Sequence, residues 1–299
     1  MSELPRADPA WDSFWRYDRL SSFLSTPGAP NYGAPIADGW RAFFDDLPDG
    51  ARVLDIATGN GAIAVLAVEA GKKFAVTGAD LASVDPTAHV TRNRAELERI
   101  TFLASTPAEA LPLPDACMDA VISQYGIEYS DLARSIPEAA RILAPGGHLR
   151  FSVHAAEGAV ARDTAKSIAD ADFLIDLDIP GLAKRSLTDI DAFNAALRNI
   201  AGRAPAATDQ AMLANVHRTL CDTYDHRRGE LSVTAQHLEA EISAHRNRQA
   251  ALLAAALTAA QLAALGERLK TLGLTAITLG EQRDGADLIG WTIEAARRA

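Results

Sequence analysis

Residues 52–65, RVLDIATGNGAIAV, place two glycines in a turn between an apolar run and the start of a helical pattern. Such a turn aims backbone N–H groups and a helix N-terminus into the crevice at the end of a parallel strand, where nucleotide-like ligands bind. Gly59 and Gly61 allow positive φ and an approach that a Cβ would block. The segment GNGAIA also satisfies the dinucleotide pattern G-x-G-x-x-G/A, so the glycines alone choose no cofactor. Two carboxylates add to them. Asp80 closes the next apolar run, 19 positions after Gly61, where it can accept hydrogen bonds from a ribose diol. Asp55 lies inside the first strand, and a buried carboxylate needs a partner such as a ligand amine.

A second group of residues falls where a reacting molecule would sit. His154 follows the fifth apolar run, and imidazole suits a general base; the alternative is a loop histidine bonded to backbone or water. Tyr125, Glu128 and Tyr129 follow the fourth run. Tyr125 is expected to line the site, whereas Glu128 and Tyr129 could equally open a solvent-facing helix. The turn-rich stretch PGAPNYGAP, residues 27–35, is either a connector or a lid that carries Tyr32 inward. His217, His226, His237 and His245 alternate with arginines on long helical patterns without the tight spacing of a zinc site, so no metal is expected.

These residues need a scaffold, and the hydrophobic period supplies one. Residues 1–48 read as an N-terminal helical segment, with Trp11, Phe14 and Trp15 sharing a face and Ile36, Trp40, Phe43, Phe44 and Leu47 repeating at helical spacing. Residues 49–155 alternate strand and helix: ARVLDIA, FAVTGAD, ITFLAS, MDAVISQ and HLRFSVH are the strands, which argues for βαβ units and a parallel sheet. The helices between them are AIAVLAVEAGKK, stopped at Gly71, then HVTRNRAELERI, then SIPEAARILAPGG, with Pro137 in its first turn and Gly146 and Gly147 as the stop. Residues 156–254 are helical in period and read as a cap or insertion; 255–299 add a helix and two strands around Arg283-Asp284-Gly285.

Composition narrows the classes further. The 299 residues are 48% hydrophobic and 23% charged, as in a globular protein. A formal charge of −10 repels polyanions, so nucleic acid is disfavoured as a partner. The first residues lack a basic and then apolar leader, and no stretch is long and uncharged enough to span a bilayer, which leads one to expect a cytoplasmic protein with no membrane partner. Cys117 and Cys221 are too few for a disulfide framework.

Taken together, VLDIATGNG, TGAD, EALPLPDACMDAVIS and RILAPGGHLRFSV resemble the Rossmann-like (class I) S-adenosylmethionine-dependent methyltransferases, particularly the small-molecule branch with the menaquinone and ubiquinone methyltransferases. The resemblance covers residues 50–155. It implies a seven-stranded, mostly parallel α/β sheet with helices on both faces and a large helical insertion between the fifth and sixth strands. S-adenosyl-L-methionine would be the cofactor and a small molecule the methyl acceptor at O, N or C. Asp55 and the backbone at Ala57, Gly59 and Gly61 would hold the methionine end, Asp80 the ribose, Leu81 the adenine, and the Gln124 carbonyl the cofactor's amino group. Where such proteins often carry Gly-Asp-Ala-Glu, this chain reads Thr106-Pro107-Ala108-Glu109, so adenine recognition falls to the Ala108 N–H with Ser105 or Thr106. Trp11 and Trp15 are then either helix core or a cation–π wall near a sulfonium. His154, Glu128 and Tyr125 are the catalytic candidates, with Tyr32, Tyr125 and Tyr129 against the acceptor. The insertion's apolar faces could also pair two copies. A nicotinamide-dependent oxidoreductase and a non-catalytic binding protein of the same fold are the alternatives.

Overall fold

The alternation of apolar residues along short β-branched runs produces the central sheet, and buried helices cover both of its faces. The computed structural model describes residues 9–22, 31–186, 188–204 and 210–299. Strands β1 (Arg52–Ile56), β2 (Ala75–Ala79), β3 (Ile100–Leu103), β4 (Met118–Gln124), β5 (Leu143–His154), β6 (Leu274–Asp284) and β7 (Asp287–Arg297) form one seven-stranded sheet in the order β3-β2-β1-β4-β5-β7-β6. All neighbours are parallel except β7, which runs antiparallel to both β5 and β6. The expected seven-stranded, mostly parallel α/β fold is therefore the one present. Its strand order reverses between β1 and β4, the place where open α/β sheets leave a crevice for ligands.

One face is covered by α2 (Ala34–Asp46) and α3 (Ala62–Glu69), with Trp40, Phe44 and Leu66 against Val53, Val76 and Ile122. The opposite face is covered by α6 (Leu132–Ile142) and α12 (Ala259–Thr271), with Ile136, Leu265 and Leu269 against Leu54, Val121 and Phe151. Strand residues of successive parity thus point to different helical layers, as the pleat requires. Before them comes α1 (Pro9–Trp15). Trp40 Nε1–H donates to Gln124 Oε1 at 2.6 Å, tying α2 to the end of β4.

Three local expectations are corrected. Residues 89–100 do not form one helix: α4 (Pro86–His89) and α5 (Arg94–Leu97) are separated at Asn93, whose φ of 53° breaks the helical path. Pro137 is not in a first turn, because α6 starts earlier, capped by the Asp131 carboxylate, which accepts from Ala133 N–H. Proline frees the carbonyl four residues before it, and Arg268 of α12 donates to that Ala133 oxygen at 2.7 Å. Gly146 and Gly147 do not stop α6 either; it ends at Ile142, and both glycines lie within β5.

The chain divides into two compact units, Met1–Gly158 with Ala255–Ala299, and Ala159–Ala254. The second consists of α7 (Ala159–Asp176), α8 (Ile179–Arg185), α9 (Ile190–Arg203), α10 (Gln210–His226) and α11 (Leu231–Ala255, which crosses its boundary by one residue). Phe193, Ile200, Leu213, Leu220 and Leu231 make its core, and Arg203 pairs with the buried Asp170 at 2.9 Å. In the first unit, the strand end before the excursion and the segment after it meet. Leu257 N–H donates to His154 O at 2.9 Å, while Ala156 N–H and Trp291 Nε1–H donate to Leu257 O at 3.0 and 2.9 Å.

Candidate functional site

The turn after β1 runs through Ala57, Thr58, Gly59, Asn60 and Gly61 into α3, with Ala57, Gly59 and Gly61 at positive φ. Gly59 N–H donates to Asp80 Oδ2 at 2.7 Å and Ala82 N–H to Asp80 Oδ1 at 2.8 Å, so both oxygens of Asp80 are fixed at the end of β2. Burial, the dominant influence, outweighs these bonds and pushes the Asp80 carboxyl up to about 6. Each oxygen still has a lone pair for a further donor. Asp55 lies deeper than expected. It accepts from Thr58 Oγ1 at 2.7 Å, and burial pushes it up to about 7. It braces the turn from beneath and is not part of the cleft wall.

That cleft opens over the ends of β1, β2, β3 and β4. Ala57, Asp80, Leu81, Thr106, Ala108 and Tyr125 line it, as do Glu109, Tyr129, Trp11 and Trp15. Of the nine residues expected at a cofactor, Ala57, Asp80, Leu81, Thr106 and Ala108 are on its wall. Gly59 and Gly61 shape the turn, and the Gln124 side chain is turned away to Trp40. In the loop after β3, the Thr106 hydroxyl is spent on Ala104 O at 3.1 Å, whereas the Ala108 N–H has no hydrogen-bond partner among the described residues. A buried carboxylate with spare acceptor capacity, an unpaired N–H and a turn with two positive-φ glycines together fit the ribose, adenine and methionine parts of S-adenosylmethionine.

Beyond β4 the aromatic and ionisable candidates come together. Glu128 is fully buried, in contrast to a solvent-facing helix start, and its Oε1 accepts from both the backbone N–H and Nδ1 of His154, at 3.0 and 2.8 Å. This contact sets Nδ1 as the donor and leaves Nε2 as the acceptor. Glu128 Oε2 is buried without a partner, and His154 Nε2 has none among the described residues. Tyr125 stacks on the imidazole at 4.2 Å between ring centroids, and Tyr129 meets it edge-on at 6.2 Å. Both tyrosines therefore stand between the cleft they line and the His154–Glu128 pair, and burial raises both phenols above their ordinary range.

Two side chains of this site were not legible in sequence. Gln282, on β6, accepts from the Tyr125 hydroxyl at 2.5 Å, and nothing in its own neighbourhood marks it. Asn60 is the middle residue of Gly-Asn-Gly, and its Nδ2 donates to Trp15 O and Arg19 O at 3.0 and 2.7 Å. Tyr32 is buried but does not line this cleft; its hydroxyl pairs with Ser22 at 2.9 Å, and burial pushes it up to about 12. Residues 27–30 of the lid expected around it lie outside the described residues. Among the described residues no three His, Cys, Asp or Glu side chains cluster to hold a metal, and no helix is long and apolar enough to cross a membrane.

Residues 53–147 match the family model described as a methyltransferase domain. A demethylmenaquinone methyltransferase from Thermus thermophilus is 36% identical over 140 residues, 45% of this chain and 59% of that protein. A ubiquinone/menaquinone biosynthesis C-methyltransferase from Methylobacterium nodulans is 43% identical over 109 residues, 34% of this chain and 42% of that protein. A solved S-adenosylmethionine-dependent methyltransferase from Mesorhizobium loti shares 28% identity, with a TM-score of 0.33 over 42% of this chain and 55% of that one. The chain thus spans about half the length of the curated relatives it matches. The strand order and the cleft at the strand ends are those of a Rossmann-like α/β fold, and residues 53–147 within it match a methyltransferase domain.

Proposed function

We propose that this protein transfers a methyl group from S-adenosylmethionine to a small-molecule acceptor that loses a proton in the reaction. The observation that carries the reading is Asp80: a buried carboxylate at the end of β2, on the wall of the cleft and beside the glycine turn, with lone pairs left for a ribose diol. Ala57 and the Gly59–Gly61 turn would receive the methionine end, while Leu81 and the Ala108 N–H would receive the adenine. The bound cofactor supplies an electrophilic methyl group.

The chain's own residues then position the acceptor and move its proton. Tyr125 and Tyr129 wall the acceptor side, and water exclusion by these rings would favour an in-line approach; orientation alone can supply about 7 to 11 kcal/mol of such a barrier. His154, behind these two rings, is the base in this reading: Glu128 holds its Nδ1, and the acceptor's proton reaches Nε2 once Tyr125 or Tyr129 moves aside. An acceptor O–H or acidified C–H would give its proton to Nε2 as its electron pair forms the new bond to carbon. The Thermus thermophilus relative is named a demethylmenaquinone methyltransferase, and a ring-bearing acceptor of that class suits an aromatic wall.

Calorimetric titration with S-adenosylhomocysteine tests the reading. The protein should bind it, and Asp80→Ala should weaken binding at least tenfold; absence of binding by the folded protein overturns it. In methyl transfer to a panel of phenols and hydroquinones, His154→Gln should lower kcat by about 10²- to 10⁴-fold. Its affinity for S-adenosylhomocysteine should stay within threefold.

A further inference from the structure

We infer that Trp11 and Trp15, carried by α1, form the aromatic wall on which the cofactor's adenine stacks, in place of the carboxylate that Pro107 has displaced from the loop after β3. The inference rests on the cleft's being an S-adenosylmethionine site. Both rings line the same cleft as Thr106 and Ala108 and stay half-buried, whereas Phe14 between them is packed inward. They lie one helical turn apart, nearly parallel, with centroids 6.3 Å apart and planes 20° from each other.

The helix is held in that place by contacts from three parts of the cofactor-binding framework. Asp12 accepts from Ser83 N–H at 2.8 Å, just past the Asp80 turn. Asp18 accepts from the N–H and hydroxyl of Thr91 at 2.9 and 2.5 Å. Asn60, fully buried in the glycine turn, spends both amide hydrogens on the chain at and beyond the end of α1. Trp15 itself rests on Gly59 so closely that a Cβ there would come within 2.4 Å of the indole. A glycine turn whose middle side chain anchors a helix, and whose first glycine seats a ring of that helix, is arranged around those rings as much as around a ligand. In the same cleft, the loop after β3 offers the adenine one unpaired N–H, at Ala108, and no side-chain acceptor at position 107 for its amine. Stacking on a flat ring then becomes the main source of grip, and it takes no account of the amine.

Titration of the full chain with S-adenosylhomocysteine, followed by calorimetry and by tryptophan emission, tests this. Base stacking on an aromatic side chain is worth roughly five- to 150-fold in affinity. Trp11→Ala and Trp15→Ala should each weaken binding at least fivefold, and Trp11→Phe and Trp15→Phe should stay within threefold. Binding should quench the wild-type emission, and the double Phe variant should lose that quench although Trp40 and Trp291 remain. Asn60→Ala, which keeps both rings but removes one of the helix's three anchors, should weaken binding in the same direction. If the wild type binds and both Ala variants bind within twofold of it, or bind more tightly, the inference is overturned while the cofactor reading stands. If the wild type does not bind, the cofactor reading itself has failed.

Discussion

Asp80 is a carboxylate whose two backbone bonds do not offset its burial, and the nearby Asp12 charge adds to the upward push. Its folded value, about 6, stands above the ordinary 3.8, so folding disfavours its charged form. Stability contributed by the protonated group is present at low pH and is lost as pH rises through that window. Donors from a ribose would favour the charged form and return part of it. S-adenosylhomocysteine should therefore bind more tightly at pH 7.5 than at pH 5, by about threefold to tenfold, with release of a proton near pH 6. Calorimetry in buffers of different ionisation enthalpy reads both quantities, and Asp80→Asn should flatten the profile. A flat wild-type profile would remove Asp80 from the ligand's surroundings.

At the scale of elements, Trp40 shows how a helix sets the position of a strand end. Its indole donates to Gln124 in a dry layer between α2 and β4, while Gln124 Nε2 already lacks a partner. Trp40→Phe leaves the Gln124 oxygen unpaired as well and should cost about 1 to 3 kcal/mol. Urea denaturation measures that loss, and affinity for S-adenosylhomocysteine should change by less than threefold, since Trp40 is not on the cleft. The strands were legible because period-two alternation and turn residues are local signals; β4 begins and ends where the pattern MDAVISQ does. Pro137 was misread because what makes it tolerable in mid-helix is Arg268, distant in sequence, and the break at Asn93 depends on a single backbone angle. Asp80, Tyr125 and His154 could be located from strand ends alone. Gln282 could not, since its partner Tyr125 is reached only after β6 joins the sheet and Gly290 leaves room for the ring, where a Cβ would come within 2.8 Å of it.

For the molecule as a whole, two compact units with separate cores imply two cooperative transitions rather than one. Differential scanning calorimetry should resolve them, and S-adenosylhomocysteine at 100 times its Kd should raise only the transition of the α/β unit, by about 2.7 kcal/mol of stabilisation. Equal shifts of both would show that the units unfold together. The contacts of Leu257 with His154, Ala156 and Trp291 bear on a different question. They clasp the outgoing and returning chain to one another inside the α/β unit, so the two ends of the excursion from Ala159 to Ala254 are joined there. The entropy of closing such a loop grows slowly with its length. The helical unit is in that sense a cartridge: a change in its length leaves intact the clasp that seats Trp291 of β7.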